Sequence, residues 1–325
     1  MPRISKTAIV KFAATAALMA LLYRRVDAAA FKEAVSQMRW FPLVMFFPLC
    51  AANMAVSALR WRTLLRADGI EIPFGKLFAG YWIGSFFNFF MPSNIGGDVY
   101  RIADIAKRSG KPVNTTVSVF ADRLAGFIVM SFFGTVFPLL GLRMIPEEWR
   151  WMLFLAAGIF ACFIVAAFVV RTEFFIGMIP RLLPGKLRVK AERIARTAHG
   201  SFAAYAREPS VLLKCLALSA VFQTGMIAAI WCVGESLGFA DAGIPFFAYC
   251  VFVPMINLLE SVPWTLFGMG FRDAGYLMFF TAMNVPAPDA VAGVMSVVYV
   301  TFTLVYASFG GVLFMTRRRA ATKVS

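Results

Sequence analysis

The stretch Phe87–Arg101, FNFFMPSNIGGDVYR, decides how the chain folds. It opens as an apolar helix and meets Pro92, which has no N–H to donate and pushes the residue before it out of helical geometry. Gly96 and Gly97 follow, then Asp98 and, three residues on, Arg101. A second stretch, SVPWTLFGMGFRD from Ser261 to Asp273, repeats the plan. There Pro263 precedes Gly268 and Gly270, and Arg272 lies nine residues after the proline, the offset that separates Pro92 from Arg101. Irregular backbone at membrane depth persists only where protein covers it or where it lines a wet cavity. Interrupted apolar segments at matching places in two halves point to the central site of a transporter.

The surrounding composition makes this a membrane chain. It has 325 residues, 60% hydrophobic and 15% aromatic, with a mean hydropathy of +0.75. Soluble domains are about half apolar, and here several apolar runs reach the roughly 20 residues that a crossing helix needs. The net charge of +15 does not read as a nucleic-acid surface, because Arg and Lys gather at the ends of the apolar spans, as cytoplasmic loops require. The five cysteines, Cys50, Cys162, Cys215, Cys232 and Cys250, all fall in apolar runs without metal or disulfide spacing. The single histidine, His199, lies in a basic segment without a nucleophile or acidic partner. No metal, cofactor or catalytic residue is expected, and no phosphate-binding loop supports ATP-driven transport.

Taken in order, the chain reads as an all-α polytopic membrane protein. A first span covers 7–23 and an amphipathic segment 24–39. A second span runs from Trp40 to Leu59 and stops at Arg60, Arg62 and Arg66. The first broken segment follows, with arms 74–91 and 96–108, then a long span 113–142. The second half brings spans 149–170 and 211–234, the broken arms 244–261 and 270–283, and a last span 289–315 that ends at Arg317, Arg318 and Arg319. Residues 171–208 between them carry eight Lys or Arg, which marks that loop and the C-terminus as cytoplasmic.

Each broken segment is either a re-entrant hairpin or a full span kinked at proline. Read as hairpins, they give about six full spans and two hairpins, eight hydrophobic segments in all. The single domain 1–325 then divides into an inverted repeat, 1–142 and 143–325, each half being two spans, a hairpin and one span. The amphipathic inserts 24–39 and 171–208 match in place. Both termini are expected in the cytoplasm.

Seven ionisable residues fall at membrane depth: Asp98, Arg101, Asp122, Arg123, Glu260, Arg272 and Asp273. Such charges cost roughly 2.5–3.5 kcal/mol each on insertion, so they face inward and pair. One buried network of all seven is the expectation. It either locks hairpins against spans or offers Arg101, Arg123 and Arg272 to an anion, since guanidinium forks suit phosphate and carboxylate. Helices starting at Gly96 and at Gly268–Gly270 would aim N–H groups at the same ligand. The aromatics Tyr81, Trp82, Phe86, Phe87, Phe89, Phe90 and Tyr100 read as packing or lipid contact. A phospholipid headgroup fits this chemistry better than a metal cation or a neutral sugar.

At these residues the chain resembles the transmembrane region of lysylphosphatidylglycerol synthases, a flippase-like family. Asn88, Pro92, Ser93, Gly96, Gly97, Asp98 and Arg101 match its N-x-x-x-P-S-x-x-G-G-D-x-x-R stretch. Asp122, Arg123 and Gly126 match its acidic-Arg pair with a following glycine, and Pro263, Gly268, Gly270, Arg272 and Asp273 match its late Pro/Gly turn loosely. Trp264, Thr265, Leu266 and Phe267 replace a glycine-rich turn, and Asp273 stands where Glu is usual.

The resemblance implies a lipid-translocating domain of a bacterial-type inner membrane, with membrane lipids as substrates and a lipid-biosynthetic enzyme as a possible partner. Synthase activity is not implied, because this sequence carries no soluble aminoacyl transferase domain. The substrate-binding set expected is Asn88, Pro92, Ser93, Gly96, Gly97, Asp98, Arg101, Asp122, Arg123, Glu260, Gly268, Gly270, Arg272 and Asp273. The alternatives are a membrane-embedded transferase and a non-catalytic subunit in lipid-linked glycan, hopanoid or aminoacyl-lipid biosynthesis.

Overall fold

A computed structural model describes residues 32, 36–90, 95–171, 185–239, 241, 243–261 and 271–322. The expected first span 7–23, most of 24–39, and Pro92, Ser93, Gly268 and Gly270 lie outside the described residues. Ten α-helices and two single 3-10 turns make up the described elements, with no strand among them: α1 (Trp40–Ala67), α2 (Phe74–Phe90), α3 (Gly96–Ser109), α4 (Pro112–Leu140), α5 (Trp151–Arg171), α6 (Gly185–Arg207), α7 (Pro209–Ser236), α8 (Phe246–Glu260), α9 (Phe271–Ala282) and α10 (Pro288–Thr322). Five stretches among the described residues, Trp40–Ala67, Pro112–Leu140, Glu147–Val169, Pro209–Ser236 and Pro288–Arg317, are long and apolar enough to cross a membrane. The protein is an all-α, multi-pass membrane protein.

Proline and glycine set several of the boundaries. Pro112 and Pro209 open α4 and α7 at the first helical position, where the missing N–H would have had no intrahelical partner. Gly110 closes α3 in the left-handed conformation, its N–H returning to Ala106. The second span differs from its expected bounds. It does not end at Leu59 but continues through Arg60 to Ala67, because Trp61, Leu64 and Leu65 carry the buried face onward.

Antiparallel α1 and α7 form the central pair. At one end the Arg39 N–H donates to the Ser236 carbonyl at 2.8 Å, and Arg39 pairs with Asp241. At the other, Arg60 Nη1 donates to Ser219 Oγ at 2.8 Å. Between them Gly225 lets the helices touch: a Cβ there would lie 2.2 Å from Asn53 Oδ1.

Helices α2 and α3 fold back on each other. Gly84 faces Gly97, Phe87 stacks on Tyr100 at 5.3 Å, and Lys111 Nζ, just after α3, reaches the Asp68 carbonyl just before α2 at 3.2 Å. Both outer ends of this hairpin therefore sit at the end of the bundle where α1 finishes and α4 begins. Helices α8 and α9 do the same from the opposite end. Phe252 lies 4.8 Å from Phe279, Gly275 meets Ile256, and Phe239, after α7, packs on Phe280 at 4.9 Å. At 15 and 12 residues, these arms reach only about 22 and 18 Å, short of a hydrocarbon core about 30 Å thick. Each broken segment is thus a pair of helices folded back on each other.

The first hairpin packs on α10 and the second on α4. Trp82 of α2 stacks on Tyr306 of α10 at 5.3 Å, and a Cβ on Gly310 would lie 2.1 Å from the Trp82 carbonyl oxygen. Helix α8 packs on α4, where Gly134 meets Leu258. The core is continuous through α8, whose Ala248, Tyr249, Val251 and Phe252 are wholly buried. Phe120, Phe132, Phe154 and Phe168 remain exposed, an apolar exterior suited to lipid.

Candidate functional site

The first charged group is built where the α2–α3 tip meets α1 and α4. Asp122 lies ten residues into α4, roughly 15 Å from its start. Its Oδ1 accepts from Arg60 Nε at 2.6 Å, and its Oδ2 accepts from the Tyr81 hydroxyl at 2.5 Å and faces Arg101 Nη1 at 3.4 Å. Arg101 also pairs with Asp98, whose other oxygen accepts from Arg123 Nε at 2.8 Å. Three arginines thus alternate with two aspartates, leaving one positive charge in excess.

Burial grades along this chain of ion pairs. The side chains of Asp122 and Arg101 are 2% and 4% exposed, Asp98 is 15%, and Arg123 is 37%. Arg101 is clamped between rings, 4.0 Å from the Tyr81 centroid and 5.0 Å from that of Trp61. The Trp61 N–H donates to Ser118 Oγ at 2.9 Å. The inner end of the network is therefore dry and fully paired, while Arg123 opens outward at mid-helix.

The hairpin tip explains the glycines. A Cβ on Gly97 would lie 2.4 Å from the Gly84 carbonyl oxygen and 2.8 Å from Asn88 Oδ1, so only glycine lets α2 and α3 approach this closely. The Gly97 N–H donates to Asn88 Oδ1 at 2.6 Å. This corrects one expectation: an N–H that the sequence would offer to a ligand is held by the protein's own cap.

The second group lies at the α8–α9 tip. Arg272 Nε is 3.7 Å from Glu260 Oε1 and donates to Ser296 Oγ of α10 at 3.3 Å. The Ser296 hydroxyl donates to Asp273, and the Arg272 guanidinium lies 5.3 Å from the Tyr299 ring. In the contacts of the described residues the seven charges expected at depth thus fall into two groups: Asp98, Arg101, Asp122 and Arg123, joined by ion pairs with Arg60, and Glu260, Arg272 and Asp273, joined by the Arg272–Glu260 pair and by Ser296. The single network of seven divides because each hairpin tip pairs with the span that follows it in the chain.

Arg60, Tyr81, Ser219, Ser296 and Tyr299 were not among the candidates. Arg60 had a signal: Asn53, Ser57 and Arg60 are all buried and recur at helical spacing on one face of α1. In the sequence Tyr81 stands among packing aromatics, but its hydroxyl belongs to the charged group. Of the other rings, Phe87 packs against Tyr100 and Trp82 against Tyr306. Among the described residues no group of three or more His, Cys, Asp or Glu is placed to hold a metal ion.

No curated protein and no solved structure matches the chain. Residues 8–309 match the family described as the lysylphosphatidylglycerol synthase TM region. The match takes in both hairpins, both charged groups, four of the five apolar spans and most of the fifth, and the protein belongs to that family.

Proposed function

We propose that the protein is a lipid translocase that passes an anionic or amino-modified headgroup between its two hairpins. In this reading α2–α3 and α8–α9 are re-entrant hairpins entering a bacterial-type inner membrane from opposite faces, with residues 1–142 and 143–325 forming an inverted repeat. The reciprocal packing of α2 on α10 and α8 on α4 supports it, as do the basic residues 171–208, which favour cytoplasmic termini.

One observation carries the reading: a guanidinium part-exposed at the middle of a membrane-length helix, at the end of a chain of ion pairs with net positive charge. Charges at that depth are expensive and mark substrate paths. Arg123 is the residue that meets the headgroup, with Asp98 as the acid it leaves. Asp122, Arg60 and Tyr81 hold Arg101 and the tip in place. Arg272, Glu260 and Asp273 supply the second station. Asn88, Gly96 and Gly97 shape the first tip, and Pro92, Ser93, Gly268 and Gly270 take the same role on sequence grounds. Membrane lipids are the partner, with a lipid-biosynthetic enzyme as the source of any modified headgroup.

Flipping of a fluorescent phosphatidylglycerol in proteoliposomes tests this. Arg123→Gln, which removes a part-exposed charge from its pair with Asp98, should slow flipping at least tenfold while lowering the melting temperature by no more than about 2 °C. Flipping at the wild-type rate would remove the basis for the proposal.

A further inference from the structure

Helix α6, GKLRVKAERIARTAHGSFAAYAR, carries six basic residues and one acid. Its C-terminal half is fixed to the bundle. The Tyr205 hydroxyl bonds Asp68, Asn114 Nδ2 donates to Ser201 Oγ at 3.0 Å, and Phe202 lies 6.3 Å from Phe120. Ala198, Phe202 and Tyr205 join a core with Leu64, Val117 and Val211. These contacts hold α6 at the level where α1 ends and α4 and α7 begin, the same end at which the α2–α3 hairpin opens.

The apolar stripe does not stop with those contacts. Leu187, Ala191, Ile194, Ala198, Phe202 and Tyr205 follow one another at steps of three and four, which keeps them on one face. Toward the N-terminus the bundle no longer covers that face: Leu187 is 59% exposed and Ile194 45%. Arg188 and Lys190, both exposed, flank it, and the exposed Arg193 and Arg196 follow on the side turned away from it. Apolar side chains rimmed by cations form the amphipathic surface that lies in a membrane interface, and basic segments beside the bilayer attract anionic lipid.

We propose that residues 187–196 dock onto an anionic lipid leaflet, with Leu187 and Ile194 among the acyl chains, Arg188 and Lys190 on headgroup phosphates and Arg193 and Arg196 adding to the positive field, gathering anionic lipid beside the hairpin opening. The occupant is the lipid surface, because the face combines positive charge with apolar groups at the level of the span ends. The site is independent of the translocation path and can be tested without measuring flipping.

The full chain is placed, one copy per nanodisc, in phosphatidylcholine with and without about a third phosphatidylglycerol, and amide hydrogen exchange of residues 187–197 is followed. Each basic residue near an anionic surface changes binding about fivefold. Exchange should slow at least tenfold when phosphatidylglycerol is present, and half-molar salt should reverse most of the effect. The variant Arg188→Gln/Lys190→Gln/Arg193→Gln/Arg196→Gln should respond less than twofold while keeping its melting temperature. Exchange indifferent to phosphatidylglycerol would overturn the proposal. So would an equal response in the fourfold variant, or protection that depends only on a second copy or added soluble protein.

Discussion

Replacing Asp122 with Asn isolates the energetic centre of the first charged group. The carboxylate accepts from Arg60 and Tyr81 and faces Arg101, and its side chain is 2% exposed. Removing one partner of a buried pair costs about 3–5 kcal/mol, because the other charge stays buried. Here Arg60 keeps Ser219, Arg101 keeps Asp98, and the Asn oxygen can still accept one bond. The loss therefore falls at the lower limit, about 3 kcal/mol. At about 2 °C per kcal/mol for a large chain, the melting temperature drops by about 6 °C. Asp98→Asn is the internal control: at 15% exposure it should cost about half as much, since partial solvation softens the loss. Thermal unfolding in one detergent, followed by tryptophan fluorescence, reads both. A drop under 1 °C for Asp122→Asn, or a larger drop for Asp98→Asn, would refute the inference that burial deepens from Arg123 toward Asp122.

Three further outcomes follow from named contacts. Gly97→Ala drives a Cβ to 2.4 Å from the Gly84 carbonyl oxygen and should cost about 1–3 kcal/mol as an overpacking change, read as a lower melting temperature with the hairpin tip opened to protease. Asn88→Ala removes the acceptor of the Gly97 N–H and should cost about 1 kcal/mol by the same thermal assay. Tyr205→Phe removes the bond to Asp68 at about 1–2 kcal/mol. Burial, and next the hydrogen bond from the phenol to Asp68, push the Tyr205 phenol up. The neutral form is therefore favoured by folding, so this stability is present below an ordinary tyrosine's range near pH 10 and lost only above it. The difference between wild type and Tyr205→Phe should stay constant from pH 6 to 9, and a change within that window would contradict the assignment.

The two breaks were legible because Pro92, Gly96 and Gly97 in one and Pro263, Gly268 and Gly270 in the other interrupt apolar runs that the lipid would otherwise require to be unbroken. Asp98, Arg101, Asp122 and Arg123 were legible because charges at that depth must pair. Arg60 was misjudged because an arginine after an apolar run normally marks the water boundary; only the buried Asn53 and Ser57 on the same face distinguish it. Tyr81 was hidden among aromatics, since a phenol serving as a donor and one serving as packing look alike in sequence. The division into two charged groups was not readable, because it depends on Ser296 meeting Arg272 and Asp273 across α9 and α10. Serine carries no periodic signal that would announce that contact.

The central claim, that two hairpins enter from opposite faces, is tested most directly by single-cysteine labelling in sealed vesicles with an impermeant maleimide. In a background with the five native cysteines replaced by alanine, Lys107→Cys reports the end of α3 and Asp289→Cys the first turn of α10, both exposed positions. The account predicts that one reacts only from outside the vesicle and the other only after the interior is opened. Both reacting from the same side would contradict it.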